Sequence, residues 1–138
     1  MFKKSLLLGG VSGVLAGVAS VIYQKVYAGS LGANFAAIAK PANIFFTCLL
    51  GGLIAGTGFW IFNKWFNGKG EIIFNVVFVL FSFASIMGAF AFKLPMDAES
   101  PELFPGLVVP MHFFPALAWF TLKPLFLKNN ERYQKVVA

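Results

Sequence analysis

Four stretches of this chain, Ser5–Ile22, Ala42–Phe62, Ile72–Phe92 and Gly106–Leu122, run for 17–21 apolar-rich residues without a single Asp, Glu, Lys or Arg. A helix rises about 1.5 Å per residue and the hydrocarbon core of a bilayer is about 30 Å thick, so each run is long enough to span it. A transmembrane β-barrel would show short alternating segments, whereas these runs are continuous and rich in Gly, Ala and Leu. The expected fold is therefore all-α, an integral membrane bundle of four transmembrane helices at about residues 5–27, 42–66, 71–92 and 105–127. The 138 residues form a single domain, with no internal repeat and no low-complexity tract.

Composition closes the soluble alternative. The chain is 59% hydrophobic and only 12% charged, with 18 Phe, against about 25% charged for a soluble domain. A globule of this length buries only about two-thirds of its surface, so much of this apolar content would face water. The start Met1-Phe2-Lys3-Lys4 and the triplet Val26-Tyr27-Ala28 resemble a secretory signal and its cleavage site. The apolar run between them is 18 residues long, which suits a retained spanning helix better than a signal core of about 7–15.

Orientation follows from the basic residues. The N-terminus, the second link and the C-terminal tail share one side and hold Lys3, Lys4, Lys64, Lys69, Lys123, Lys128, Arg132 and Lys135, eight in all. The other side holds three, Lys25, Lys40 and Lys93, beside Asp97, Glu99 and Glu102. Both termini are expected in the cytoplasm. Trp60, Trp65 and Trp119 would then mark the cytoplasmic headgroup level, and Tyr23 and Tyr27 the outer one. The net charge of +6 is mostly topology rather than a nucleic-acid signal, and its cytoplasmic Lys cluster favours anionic lipids on that leaflet.

Gly9, Gly13 and Gly17 recur every four residues in the first helix, and Gly52 and Gly56 do so in the second. Small residues let backbones approach, and dispersion then replaces the hydrophobic effect that lipid cannot supply between helices. Packing within the chain is the favoured reading of these stripes, with a homodimer seam as the alternative. In the third helix Asn75, Ser82, Ser85 and Ala89 form a small-residue face expected to look inward, with Phe74, Phe78 and Phe81 outward in lipid.

The fourth helix carries Pro110 and Pro115, each of which removes a backbone donor and crowds the preceding turn, so a kink is expected there. His112, the single histidine, lies between them. An intramembrane ionisable residue is by default a functional-site hypothesis. Its structural alternative is a neutral imidazole held by Ser85, Thr47, Ser20 or a freed carbonyl. His112 should in either case point into the bundle, because about seven residues of helix put it about 10 Å below the interface, too deep to reach water.

No HExxH, CxxC, phosphate loop or nucleophile elbow is present. All five acids lie in links or tail, leaving no membrane-embedded carboxylate pair for acid–base work. Cys48 stands alone among apolar neighbours and reads as a packing residue. No catalytic residue, metal site or cofactor is expected. Two classes of function fit: a non-catalytic subunit or accessory protein packing against a larger membrane-protein partner or forming a homo-oligomer, and a carrier, channel or redox-linked subunit with a small-molecule site about His112.

The glycine-rich first helix pair, the basic tight second link at Asn67-Gly68-Lys69-Gly70, and Met111-His112 early in a short final helix resemble a group of small bacterial four-helix membrane proteins of unknown function. The likeness spans nearly the whole chain, which is richer in Phe, and in prolines about His112, than that pattern. It implies a bacterial inner-membrane location and assigns no activity.

The eight-to-three division of basic residues predicts that reporter fusions place Lys69 and the C-terminus in the cytoplasm. A cysteine introduced at position 99 should be labelled from the outside, and labelling from the cytoplasmic side alone would reverse the topology.

Overall fold

The computed structural model describes residues 1–98 and 100–137, with side chains described up to Leu127. Glu99, Ala138 and the side chains of Lys128, Glu131, Arg132 and Lys135 lie outside the described residues. Four helices form an antiparallel bundle: α1 (Phe2–Leu31), α2 (Pro41–Trp65), α3 (Gly70–Ala91) and α4 (Phe104–Val137), the last entered through a single 3-10 turn at Pro101–Leu103. All four are long and apolar enough to cross a membrane. Local chemistry sets several ends. Gly32 closes α1 in the left-handed conformation, its N–H bonding the Ala28 carbonyl at 3.0 Å, a geometry that glycine adopts without a Cβ penalty. Pro41 opens α2, where its missing donor costs nothing. Asn67 and Gly68, both at positive φ, make the tight α2–α3 turn. Helix α1 extends one turn past its expected end near residue 27, and α4 continues ten residues beyond its expected end near residue 127, to Val137.

The inner face of α1 is mostly small and polar, its outer face large and apolar. Along α1, Ser5, Ser12 and Ser20 are fully buried with Gly9, Gly13, Ala16 and Gly17, while Leu7, Leu15, Ile22 and Val26 stand exposed. Water would penalise that arrangement. A surface of this kind suits lipid, where packing rather than apolar burial holds helices together.

Helices α1 and α2 make the most extensive contact in the molecule, and glycine permits it. A Cβ on Gly9 would collide with the Gly52 carbonyl, one on Gly13 would sit 2.8 Å from the Leu49 Cα, and one on Gly17 would strike the Phe45 ring. Gly56 fits against the Ser5 and Leu6 backbone in the same way. The turn between α2 and α3 is equally close, because Gly70 rests on the backbone of Phe62 and Asn63.

Two apolar cores sit at opposite ends. Near the termini, Leu8, Ala55, Phe59, Phe74, Trp119 and Leu127 cluster, with the Trp119 ring 5.6 Å from Phe59 and 5.5 Å from Phe74. At the other end, Ala33 and Phe35 of the first link fold down onto Phe104, Leu107 and Met111. Three expectations are corrected here. Phe74 and Phe78 pack inward rather than facing lipid, although Phe81 and Phe83 do face out. Trp119 is 1% exposed, a core residue rather than an interface anchor, because its ring packs among Leu8, Phe59 and Phe74 of the other three helices. Ser82 and Ala89 are buried as expected for an inward face, but Ser85 is not.

Gly52→Ala should lower the stability of the folded bundle in detergent by about 1–3 kcal/mol through backbone overlap. Gly88→Ala, at a helical glycine with nothing within 4 Å, should leave it unchanged or raise it by up to about 1 kcal/mol through helix propensity. Equal melting shifts for the two would mean that the α1–α2 approach is not glycine-dependent.

Candidate functional site: a cavity beside His112

The α2–α3 hairpin is closed at its turn by Gly70 and by the packing of Phe59 against Phe74. Further from the turn, where α2 leans on α1, the two helices part. Between them and α4 lies a cavity of about 560 Å³, lined by Asn43, Thr47, Cys48 and Gly51 of α2, Phe78, Phe81, Ser82 and Ser85 of α3, and Val108, Met111, His112 and Pro115 of α4. Ile38 and Ala39 of the first link, with Ile44, Phe92 and Phe104, line it further. The volume lies in the range of small-molecule sites, and the mostly apolar wall with a few polar groups is their usual composition. Thr47 and Ser85 are exposed at its mouth and His112 is half-buried, so the opening faces sideways, out of the bundle.

The candidate polar residues are brought together unequally. His112, Thr47 and Ser85 share the cavity, whereas Ser20 lies behind it, its hydroxyl 3.8 Å from the Cys48 sulfur. None of the three hydroxyls bonds His112. Thr47 donates to the Asn43 carbonyl and Ser85 to the Ser82 carbonyl, each at 2.7 Å. His112 Nδ1 is 2.8 Å from the Val108 carbonyl. The expected bridge from the imidazole to hydroxyls on other helices is therefore replaced by bonds within each helix. A side chain on a helix finds the carbonyl one turn back without spanning a gap, and here the gap is a cavity.

Prolines leave their mark on α4 without ending it. The helix runs through Pro110, Pro115 and Pro124. Pro110 cannot donate to the Gly106 carbonyl, and the Tyr23 hydroxyl does so instead at 2.9 Å. Tyr27 donates to the Leu103 carbonyl at 2.7 Å, its ring admitted because Gly106 has no Cβ. The two tyrosines expected at an interface thus tie α1 to the start of α4. Sequence reasoning missed this role, although the spacing Gly106-x-x-x-Pro110 marks a carbonyl in need of a donor.

At the opposite end, Lys123 pairs with Glu71 and reaches Asn75 at 3.5 Å, its side chain 13% exposed. One of the eight basic residues is therefore internally neutralised. Gln24, buried beneath the first link, donates to the Ala39 carbonyl at 2.6 Å. Among the described residues, no three His, Cys, Asp or Glu side chains are grouped so that they could hold a metal ion. No family model, curated protein or solved structure matches the chain.

Tyr23→Phe should cost about 0.6–2 kcal/mol, the range for interhelical hydrogen bonds in membranes. In a Pro110→Ala background, where alanine restores an N–H for Gly106, the same substitution should cost measurably less. A double-mutant cycle in detergent tests this coupling, and additive effects would show that the tyrosine does not replace the lost donor.

Proposed function

We propose that this chain is a non-catalytic, multi-pass inner-membrane protein that takes a small, largely apolar molecule from the bilayer into the cavity beside His112. The cavity is the observation that carries this reading: it is apolar, of ligand size, bordered by three helices and open to the side. The glycine faces are occupied within the chain, which weakens their use as a seam for a partner or a homodimer. The eight-to-three division of basic residues supports cytoplasmic termini, and the Lys-rich end favours anionic lipids on that leaflet. The resemblance to small bacterial four-helix membrane proteins supports the location. On this orientation the cavity lies in the outer half of the membrane.

A second reading, an accessory subunit docked on a larger membrane protein, draws on α3. Its spanning window is the least buried of the four, and Ile72, Leu80, Phe83, Met87 and Phe90 stand exposed. Lipid alone would satisfy that surface, which is why the cavity is preferred.

Purification from native membranes followed by mass spectrometry of co-eluting material separates the two. Gly51 lines the cavity and a Cβ there meets nothing within 4 Å, so Gly51→Phe should fill the space without backbone overlap. The expected outcome is a small molecule retained by the wild type and lost from Gly51→Phe. A stoichiometric protein partner retained equally by both, with no bound small molecule, would favour the subunit reading.

A further inference from the structure

Four of the polar side chains in the cavity, His112, Thr47, Ser82 and Ser85, share one hydrogen-bonding character. A carbonyl can only accept, so the contact with Val108 places the proton of a neutral His112 on Nδ1 and leaves Nε2 with a bare lone pair. The Thr47 and Ser85 hydroxyls have given their protons to carbonyls of their own helices, and what each retains is an acceptor oxygen. Ser82 also lines the cavity, and its hydroxyl likewise donates to a carbonyl of its own helix, that of Phe78, at 2.9 Å. Among the described residues, Asn43, exposed near the mouth, is the one lining side chain with amide N–H donors, and no Lys or Arg lines the space.

From this we infer that the cavity selects a neutral amphiphile whose polar end is a hydrogen-bond donor, a hydroxyl-bearing lipid or long-chain alcohol, over a ligand whose polar end only accepts or is anionic. The inference rests on the reading of the cavity as a ligand site and adds the chemical class. Bilayer hydrocarbon offers a hydroxyl no partner, and an unpaired one is costly there, so the acceptors give such a molecule a reason to leave the lipid. A carboxylate or phosphate would meet lone pairs with no cation to balance it. An ether or ester has no proton to give. The apolar walls, Phe78, Phe81 and Val108 among them, accommodate the hydrocarbon part.

Three probes matched in chain length test this with the full chain in detergent at about pH 8, where a free carboxylate is ionised: tetradecanol, its methyl ether and tetradecanoate. Apparent affinity is read from the ligand-dependent rise in Tm. Isotope labelling of the single histidine reports on its ring nitrogens without overlap. Tetradecanol should raise Tm and shift the Nε2 resonance. The ether should bind about fivefold more weakly, as the loss of one hydrogen bond implies, and tetradecanoate should bind weakest. His112→Phe should shrink the difference between alcohol and ether. If that variant does not fold, Thr47→Val combined with Ser85→Ala, which removes two acceptors and little volume, should do the same. Equal affinity for alcohol and ether, preference for tetradecanoate, or a difference unchanged by removal of the acceptors would overturn the donor requirement while leaving a cavity that binds ligands. If none of the probes raises Tm, and none shifts the histidine, the ligand-site reading falls as well.

Discussion

Everything in this bundle is arranged around the contact of two backbones. Where α1 meets α2, Gly9, Gly13, Gly52 and Gly56 leave main-chain atoms as the packing surface. In an apolar solvent, helices gain nothing from burying leucine against leucine that lipid tails would not give, so the density of such a contact decides which helices stay together. That density also has a geometric consequence. Helix α2 is held against α1 along several turns and against α3 at the hairpin turn through Gly70. It cannot meet both over its whole length. The space lost between α2 and α3 away from the turn is the cavity, and its opening follows from two tight contacts that converge at one end of α2.

The two ends of the bundle solve their packing differently. At the termini, where α2 and α3 are close, Trp119 fills the centre with Phe59 and Phe74 arranged around it, using edge-to-face and tilted contacts that add to burial. Its indole N–H finds no partner among the described residues, and shape has won over hydrogen bonding. At the far end the first link contributes the core itself, through Ala33 and Phe35. A segment that connects two helices thus also closes the bundle over the cavity, and Gln24 fastens it from below through the Ala39 carbonyl.

The sequence made the membrane-length helices and the small-residue faces readable, because both depend on period and length alone. Gly9 and Gly52 announce a close approach by lacking a side chain, whatever the partner. The fate of the aromatics was not readable in the same way. Phe74 and Phe81 are both apolar and both suit lipid, and only the third dimension assigns one to the core and the other to the surface. His112 was legible as a residue in need of a partner, and the cavity was not, since an empty volume has no residue type. The hydroxyl partners proposed for it failed for a local reason: Thr47 and Ser85 each sit one turn from a carbonyl that they reach at no cost in geometry.

Helix α4 shows how one local defect can serve two ends. Each internal proline deprives the carbonyl four residues earlier of its usual donor, and a membrane-spanning helix must satisfy that carbonyl from another source. At Gly106 the source is Tyr23 on α1, so the defect becomes a tie between the first and last helices. Pro115, by contrast, lines the cavity beside Met111 and His112, and among the described residues no side chain donates to the Met111 carbonyl that it leaves without its usual partner. The glycines of the α1–α2 contact and the prolines of α4 therefore act on the same volume from opposite sides. The first set opens it, and the second sets Pro115 in its wall.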